Sequence, residues 1–425
     1  MCRFWFLPGP IRPIAAANVW TSAMTSIDTN AFLRDLHELR QIGAFRTGVH
    51  RPTYSPQDME SRRWLLERLS ACGLDASIDG IGNVIGRSPA PGQKLLMGSH
   101  LETQDHSGWL DGAMGVVFGL EVARTLGQGI DVAAWCDEEG HFGSFIGSRS
   151  FCGLLPEEEI DRCTFRADGT PLRVALERAG FAGRPRAQLD PARYLGFMEA
   201  HIEQGAELED KGLRIGVVTA IVGSHRFRIV FEGEQNHAGT TRMAVRKDAG
   251  VALVSLAAAI NARFPAIVGP RTVWTTGRIT LDPGAPSIVP GRAEMLFQFR
   301  DTDPAMLARL QQEVETLVEE ANKGPCRVTI AERSRSVPQQ MDGGFQTALD
   351  RAAERHAPGL HQRMPSGAGH DAQVLAERMP SAMMFVPSIR GISHHYSENT
   401  ADADLVLGCQ VFADAAADLL GLPVG

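Results

Sequence analysis

Residues 94–141 read KLLMGSHLETQDHSGWLDGAMGVVFGLEVARTLGQGIDVAAWCDEEGH, and their pattern indicates the fold class. Its apolar residues run up to His100, a helical pattern covers Gly112–Leu126, and a second apolar run covers Ile130–Trp135. This order predicts a strand, a helix and another buried strand, and strands that alternate with helices favour an α/β sheet. Polar side chains follow both strands, at the position where open α/β sheets bind ligands.

The regions on either side extend this pattern and divide the chain. Two amphipathic helices are predicted between residues 29 and 73, where apolar residues recur at three- and four-residue steps. Beyond residue 213, strands with alternating polarity and two helices indicate a small α+β layer, and apolar helices return after about residue 334. We therefore predict a main domain formed by residues 25–214 and 333–425, which is interrupted by an inserted α+β domain at residues 215–332.

The first 24 residues are predicted to be a disordered leader or an extension upstream of the true start. Their apolar residues are interrupted by Pro8, Pro10 and Pro13, which weakens a signal-peptide interpretation. No apolar run approaches the ~18 residues that a membrane span needs. The seven cysteines are scattered without a Cys-x-x-Cys pair, so neither a disulfide framework nor a thiolate zinc site is indicated. We expect a reducing compartment and a cytoplasmic protein.

The composition narrows the classes of partner. At 425 residues the chain is too long for one hydrophobic core, and its 44% apolar and 22% charged residues are typical of a globular protein. A net charge of −8 gives no support for a nucleic-acid or anionic-membrane partner, because both favour a basic surface. A small-molecule substrate fits this composition better.

Four short motifs concentrate side chains that bind metal ions. They contain His100 with Asp111, the acidic run Asp137-Glu138-Glu139, His201, and the pair His394-His395. Imidazole is the commonest nitrogen ligand of zinc and similar ions, and carboxylates can bridge two ions. Mixed histidine and carboxylate ligands without thiolate indicate a catalytic rather than a structural metal. Taken singly, each motif is also compatible with a hydrogen-bonded histidine or a solvated acidic loop.

Two features favour the metal interpretation. Three consecutive acids after a buried strand would repel one another unless a cation offsets their charge or the pKa of one acid rises. Glycines flank Asp111 in the segment Gly-Trp-Leu-Asp111-Gly, which indicates that the backbone there comes close to another group.

Together these motifs resemble, in their order, those of the hydantoinase/carbamoylase family of amidases. The resemblance runs from about residue 46 to residue 407 and includes Tyr54-Ser-Pro-Gln-Asp, Asn236-His-Ala-Gly-Thr-Thr and Ser366-Gly-Ala-Gly-His-Asp. It implies an α/β fold with a mixed-sheet, di-metal peptidase-like catalytic domain and an inserted α+β domain for dimerisation or for covering the site. It also implies a homodimer.

The resemblance further implies a role for each matching residue. Asp111 would bridge two divalent ions (zinc, manganese, cobalt or nickel), with His100 and His201 on one ion and Glu139 and His394 on the other. Glu138 would be the general base. Arg300 would bind the substrate carboxylate. His237 would polarise the scissile carbonyl, often from the partner subunit in this family. Three further residues would line the substrate pocket: Gln204, Gly369 and Ser287.

Three positions depart from the family pattern. Glu102 replaces the usual aspartate, whose carboxylate orients the first histidine. Ser287 stands where asparagine is common, and its shorter hydroxyl offers different hydrogen bonds to the substrate and more space. His395 stands where asparagine is usual, so the choice of His394 as the ligand rests on the register of the motif. These changes leave the metal ligands intact but leave the substrate open.

The leading hypothesis is hydrolysis of a linear amide-type C–N bond in an N-carbamoyl (ureido) amino acid, which releases the amine, ammonia and carbon dioxide. One alternative is an aminoacylase or dipeptidase with the same metals and base. His201 favours the carbamoylase, because related peptidases tend to use an acid at that position. Another alternative is a catalytically silent binding protein on the same fold, against which the presence of every implied ligand and of Glu138 argues.

Overall fold

The computed structural model describes residues 26–127 and 129–422, and the predicted leader lies outside them. The described helices are α1 Thr29–Gln41, α2 Pro56–Ala71, α3 Ala113–Leu126, α4 Ile146–Phe151, α5 Glu157–Arg162, α6 Leu172–Arg178, α7 Glu207–Asp210, α8 Ala249–Arg263, α9 Pro304–Ala321, α10 Gly343–His356, α11 Asp371–Leu375 and α12 Asp402–Leu419. The described strands are β1 Ala44–Phe45, β2 Gly48–Val49, β3 Asp75–Ile78, β4 Val84–Arg87, β5 Lys94–His100, β6 Ile130–Trp135, β7 Tyr194–Ile202, β8 Ile215–Ile221, β9 Gly223–Glu232, β10 Asn236–His237, β11 Val273–Asp282, β12 Ile288–Val289, β13 Arg292–Asp301, β14 Arg327–Ser336, β15 Gln339–Gln340, β16 His361–Ser366 and β17 Ser381–Val386.

The large sheet has a parallel centre and antiparallel margins. Its order is β15-β8-β17-β7-β5-β6-β4-β3, and β16 also pairs with β8. The neighbours β17, β7, β5 and β6 are parallel to one another, whereas β4 joins β6 and β17 joins β8 in antiparallel fashion. The predicted mixed-sheet α/β fold is therefore confirmed, and the carboxyl ends of four adjacent strands meet at one edge.

Helices cover both faces of this sheet. The predicted helix at Gly112–Leu126 is confirmed as α3, in which every residue from Ala113 to Ala123 is buried. A helix that is apolar on all sides belongs in a core, and α3 packs between β5, β6 and the helices α1 and α12. On the other face, α4 and α11 pack together and α11 contacts β7 and β17.

The inserted domain is a four-stranded antiparallel sheet with two helices on one face. Its strand order is β11-β13-β9-β14, and α8 and α9 pack against it around a core that includes Phe231, Phe297 and Leu310. The sequence prediction started this domain at residue 215 and ended it at residue 332. In the structure β8 belongs to the large sheet, and the second sheet runs from Gly223 to Ser336. Only Val222 separates β8 from β9, so no turn residues mark the boundary.

One segment, Ala249–Ala266, is long and apolar enough to cross a membrane by length and composition, with a mean hydropathy of 1.4 over 18 residues. The sequence prediction that no apolar run approaches this length therefore needs correction. Within α8 the buried residues Ala249, Leu253, Leu256 and Ile260 recur at three- and four-residue steps. This spacing is typical of a helix with one face on a sheet, and α8 packs on β9 and β13.

Candidate active site

The predicted chemistry-bearing residues meet at the carboxyl edge of the parallel strands. His100 is the last residue of β5, and His201 is the last but one of β7. Glu138 and Glu139 follow the end of β6, and His394 lies in the loop after β17. Because these four strands are adjacent and parallel, residues that are far apart in the sequence are brought to one place.

Asp111, in the loop between β5 and α3, lies at the centre of this cluster. Its Oδ1 is 3.6 Å from His100 Nε2 and 3.0 Å from His201 Nε2. Its Oδ2 is 3.2 Å from His394 Nε2, which is 3.8 Å from Glu139 Oε2. Two groups of three ligand atoms result, each within 4.8 Å of one another, and Asp111 belongs to both. One carboxylate thus faces a different set of ligands with each of its oxygens.

Main-chain carbonyls orient the two buried histidines. His100 Nδ1 donates to the carbonyl oxygen of Glu102, and His201 Nδ1 donates to that of Ile202, both at 2.9 Å. A proton on Nδ1 leaves the Nε2 lone pair free to bind a metal ion. The cluster contains His394, whereas Nδ1 of its neighbour His395 lies 2.7 Å from Ser397 Oγ.

Gly112 explains the glycines next to Asp111. Its φ is +66°, and a Cβ added there would overlap the His100 ring. The group that the backbone approaches is therefore the ring of a candidate metal ligand. Asp137, Gln204 and His394 also have positive φ values, of 60°, 59° and 53°. Such strained backbone conformations cluster at functional sites.

Glu138 is held beside the two ligand groups without belonging to either. Its Oε2 lies 3.6 Å from His100 Nε2, and its backbone N–H donates to Glu102 Oε1 at 2.7 Å. Burial raises the pKa of Glu138 well above its usual range, although His100 opposes this shift. The Glu102 carboxylate thus positions the backbone of Glu138, and it is the Glu102 carbonyl that orients the first histidine.

The first acid of the run has a different task. The oxygens of Asp137 accept hydrogen bonds from the backbone N–H groups of His141, Phe142 and Gly143, and from Thr53 Oγ1 at 2.8 Å. This carboxylate fixes the loop that carries Glu138. The three consecutive acids therefore do not act as one group.

A cleft of about 210 Å³ opens next to the cluster. Three of the predicted substrate residues line it, namely Gln204, Arg300 and Gly369. Gln204 Nε2 donates to Asp111 Oδ2 at 3.1 Å, and Arg300, from the inserted domain, donates to the carbonyl oxygen of Gly367 at 3.3 Å. The cleft thus lies between the two domains.

Two predicted residues lie together but outside the lining of this cleft. His237 on β10 pairs with Ile288 on β12, and the Ala238 N–H donates to the carbonyl oxygen of Ser287 at 2.9 Å. His237 is exposed, and its Nδ1 accepts from the N–H groups of Gly239 and Thr240. Within the described part of the chain, the other ring nitrogen of His237 has no hydrogen-bond partner.

Sequence reasoning missed several residues of the site. Glu398 accepts from the N–H groups of Leu110 and Asp111, and burial raises its pKa to about 8. His370 lines the cleft, and its ring centroid lies 4.5 Å from that of His201. His370 stands in the motif Ser366-Gly-Ala-Gly-His-Asp, and Glu398 follows the pair His394-His395 by three residues, so both lie near signals that could have pointed to them. Arg226 also lines the cleft, but its strand carries no such signal.

Comparison with known proteins agrees with this geometry. The model of peptidase family M20/M25/M40 matches residues 99–418. The chain belongs to this family. It is 34% identical to an allantoate amidohydrolase from Escherichia coli over 86% of this chain and 92% of the relative. It is 33% identical to an N-carbamoyl-L-amino-acid amidohydrolase from Paenarthrobacter aurescens over 89% of this chain and 95% of the relative.

A solved structure extends the likeness to the whole fold. An amidase of the hydantoinase/carbamoylase family from Burkholderia phymatum superposes with a TM-score of 0.85 at 47% identity, covering 93% of this chain and 98% of the amidase. The predicted resemblance to these amidases is confirmed. This member of the M20/M25/M40 family is a hydrolase of C–N bonds other than peptide bonds.

Proposed function

We propose that this enzyme hydrolyses N-carbamoyl (ureido) amino acids with two divalent metal ions. The proposal rests mainly on the Asp111 carboxylate. One of its oxygens faces two histidines, and the other faces His394, which lies next to Glu139. The donor set fits the ions, because neutral imidazole and carboxylate together suit zinc, manganese, cobalt and nickel. His100 and His201 would hold one ion, Glu139 and His394 would hold the other, and Asp111 would bridge them.

The reaction class follows from the relatives. The similar proteins include an allantoate amidohydrolase and N-carbamoyl-L-amino-acid amidohydrolases, all named for ureido substrates. In the proposed reaction, water adds to the ureido carbon and the bond from this carbon to the amino-acid nitrogen breaks, and the carbamic acid that is released then divides into carbon dioxide and ammonia. The products are the free amino acid, carbon dioxide and ammonia, which account for all atoms of the substrate and one water.

Glu138 would move the proton. When bound, the two divalent ions supply a water of lowered pKa and polarise the scissile carbonyl. Glu138 is placed to take the proton of the attacking water and to return it to the leaving nitrogen. A raised pKa suits this task, because a base that must later act as an acid works best when its pKa is near the working pH. The hydrogen bond from the Glu138 N–H to Glu102 keeps its side chain beside the ligands.

The cleft would position the substrate. Arg300 offers a planar guanidinium to the substrate carboxylate, which it can bind through two parallel hydrogen bonds. Gln204 and Gly369 line the same cleft. His237 lies on the exposed strand β10 and Ser287 lies in the exposed turn before β12, and we assign both to the cleft of a second copy in a cytoplasmic homodimer. There His237 would stabilise the developing oxyanion.

The test of the reaction is a panel of substrates on one reconstituted enzyme. The protein is freed of metal with a chelator, reloaded with zinc, manganese, cobalt or nickel, and supplied with N-carbamoyl, N-formyl and N-acyl amino acids. We expect ammonia release from the N-carbamoyl compounds only when metal is present. Turnover of the acyl compounds alone would establish the aminoacylase alternative, and activity of the metal-free protein would contradict the metal site.

The test of the dimer combines two inactive variants. Glu138→Gln lacks the base and His237→Asn lacks the oxyanion group, so each is expected to be inactive by itself. If His237 acts on the partner's cleft, mixed dimers contain one complete site, and random mixing restores about a quarter of the original sites. Light scattering measures the mass in parallel. A monomer, or a mixture without activity, would contradict the assignment.

A further inference from the structure

The open face of the inserted sheet supplies part of the cleft wall. On this face Ser224 of β9 pairs directly with Arg300 of β13 and with Ser336 of β14. Residues that pair directly across antiparallel strands share a face. Arg226, two residues after Ser224, lies on the same face because side chains alternate along a strand. All four residues line the cleft that also contains Asp111 and Glu138.

Three other arginines on this face are neutralised by one carboxylate. Arg228, Arg278 and Arg292 all bind the Glu294 carboxylate. Among residues 26–127 and 129–422, no carboxylate lies within 4.0 Å of the guanidinium of Arg226 or Arg300. Burial lowers the pKa of Arg300, and the charge of Arg226 lowers it further. Two guanidinium groups that line one cleft without a carboxylate partner form a site for anionic groups.

A buried hydroxyl points to the same conclusion independently. Ser224 Oγ is buried and has no hydrogen-bond partner within the part of the chain that the structure describes. Its own backbone N–H is satisfied by Ser336 Oγ at 3.0 Å. Buried polar groups are normally paired, and an exception in a cleft indicates that a ligand supplies the partner. The unpaired hydroxyl and the two arginines without a carboxylate partner all line one cleft.

We propose that Arg226 and Ser224 form a second anion position beside Arg300, and that the preferred substrates are N-carbamoyl amino acids with a carboxylate in the side chain. Arg300 binds the α-carboxylate, Arg226 binds the side-chain carboxylate, and Ser224 Oγ donates to it. This inference rests on the proposed function for the ureido group. The second anion position itself depends only on the geometry of the insert.

The experiment compares two substrates that differ in one charge. N-carbamoyl-L-glutamate and N-carbamoyl-L-glutamine have the same shape, and kcat/KM is measured for both with the metal-loaded, full-length enzyme. We expect the wild-type enzyme to prefer the glutamate compound by about 10- to 100-fold, which is the usual effect of a charge-assisted hydrogen bond. Arg226→Gln is expected to remove most of this preference through a higher KM, and Arg226→Lys is expected to retain part of it.

Arg228→Gln is the matched control. Arg228 lies on the same strand and the same face, but its guanidinium binds Glu294. This variant is expected to keep the wild-type ratio of the two kcat/KM values. Because the readout is a ratio, a variant that is only partly folded still gives a valid result. A wild-type enzyme without preference, or an Arg226→Gln variant with an unchanged ratio, overturns the proposal.

The design separates this proposal from the proposed function. If the enzyme releases no ammonia from any N-carbamoyl compound, the ureido assignment fails. The same ratio is then measured with N-acetyl-L-glutamate and N-acetyl-L-glutamine. A preference for the glutamate compound that Arg226→Gln abolishes supports the second anion position whichever amide is cleaved, and its absence overturns that position.

Discussion

The main domain and the inserted domain form the two walls of the cleft in different ways. On the main-domain wall, His100, Asp111 and His201 are at most 2% exposed and hydrogen bonds hold each of them in place. On the insert wall, Arg226 is exposed, Arg300 is half-buried, and neither is paired with a carboxylate of the described chain. Preorganised groups suit bond breaking, whereas unpaired groups suit substrate recognition. Substitutions on the first wall should therefore reduce kcat or metal affinity, and those on the second should raise KM.

The largest effect is expected at Glu138 on the main-domain wall. Glu138→Gln removes the proposed base but keeps the shape of the side chain and the backbone N–H that donates to Glu102. We expect kcat to fall by about 10²–10⁴-fold, the usual contribution of general acid–base catalysis. Metal analysis of the same sample is expected to give the wild-type content. Full activity of the variant would mean that Glu138 is not the base. Loss of metal from the variant would mean that Glu138 is a metal ligand.

The next effect concerns the close approach of Gly112 to His100. In Gly112→Ala the new Cβ would overlap the His100 ring, which must then move away from Asp111. We expect metal affinity to fall by about 10- to 100-fold, as for other changes that disturb the orientation of a ligand. Gly92→Ala is the control, because Gly92 also has a positive φ but has no neighbour within 4 Å of an added Cβ. Equal losses of metal in both variants would attribute the effect to backbone strain alone.

The third prediction moves to the insert wall. Arg300→Gln removes the guanidinium from the cleft, and we expect kcat/KM to fall by about 10- to 100-fold, mainly through KM. The control is Arg292→Gln on the same strand, where the guanidinium binds Glu294 at 3.0 Å. Steady-state kinetics with one N-carbamoyl amino acid checks both variants. A loss in kcat with an unchanged KM would mean that the insert wall acts in bond breaking rather than in substrate binding.

The two walls also differ in how far the sequence predicts them. The positions of His100, Glu138 and Glu139 are local, because each follows an apolar run that forms a buried strand. His201 and His394 carry no such signal of their own, and the resemblance to the amidases supplied them. Strand ends and family motifs were therefore sufficient to predict which residues the structure brings together around Asp111.

The insert wall could not be predicted in this way. Arg226 alternates with buried residues as any solvent-facing residue of a strand does. Whether the side of the strand that carries Arg226 lines the cleft depends on how the two sheets pack together. No short segment of sequence specifies this packing. The same limit explains the error in the predicted domain boundary, because the chain passes from the large sheet to the second sheet at Val222 without a turn. Long-range packing decides both features.

The smallest effect is expected where the two domains contact each other through charge. Glu207 of the main domain accepts from Arg271 of the inserted domain at 3.0 Å, and Arg271 and then Lys211 lower the pKa of Glu207 to about 2. Because the folded-state pKa of Glu207 is depressed, the stabilisation is complete above the ordinary value of 4.5 and is lost as the pH falls towards 2.

Solvent screens this partly exposed pair, so we expect Glu207→Gln to cost less than about 1 kcal/mol of stability at pH 7. Thermal unfolding at pH 7 and pH 3 measures the difference, with Glu158→Gln as an exposed control that has no ion pair within the described residues. A loss that stays constant with pH would assign the contribution of this contact to packing rather than to charge.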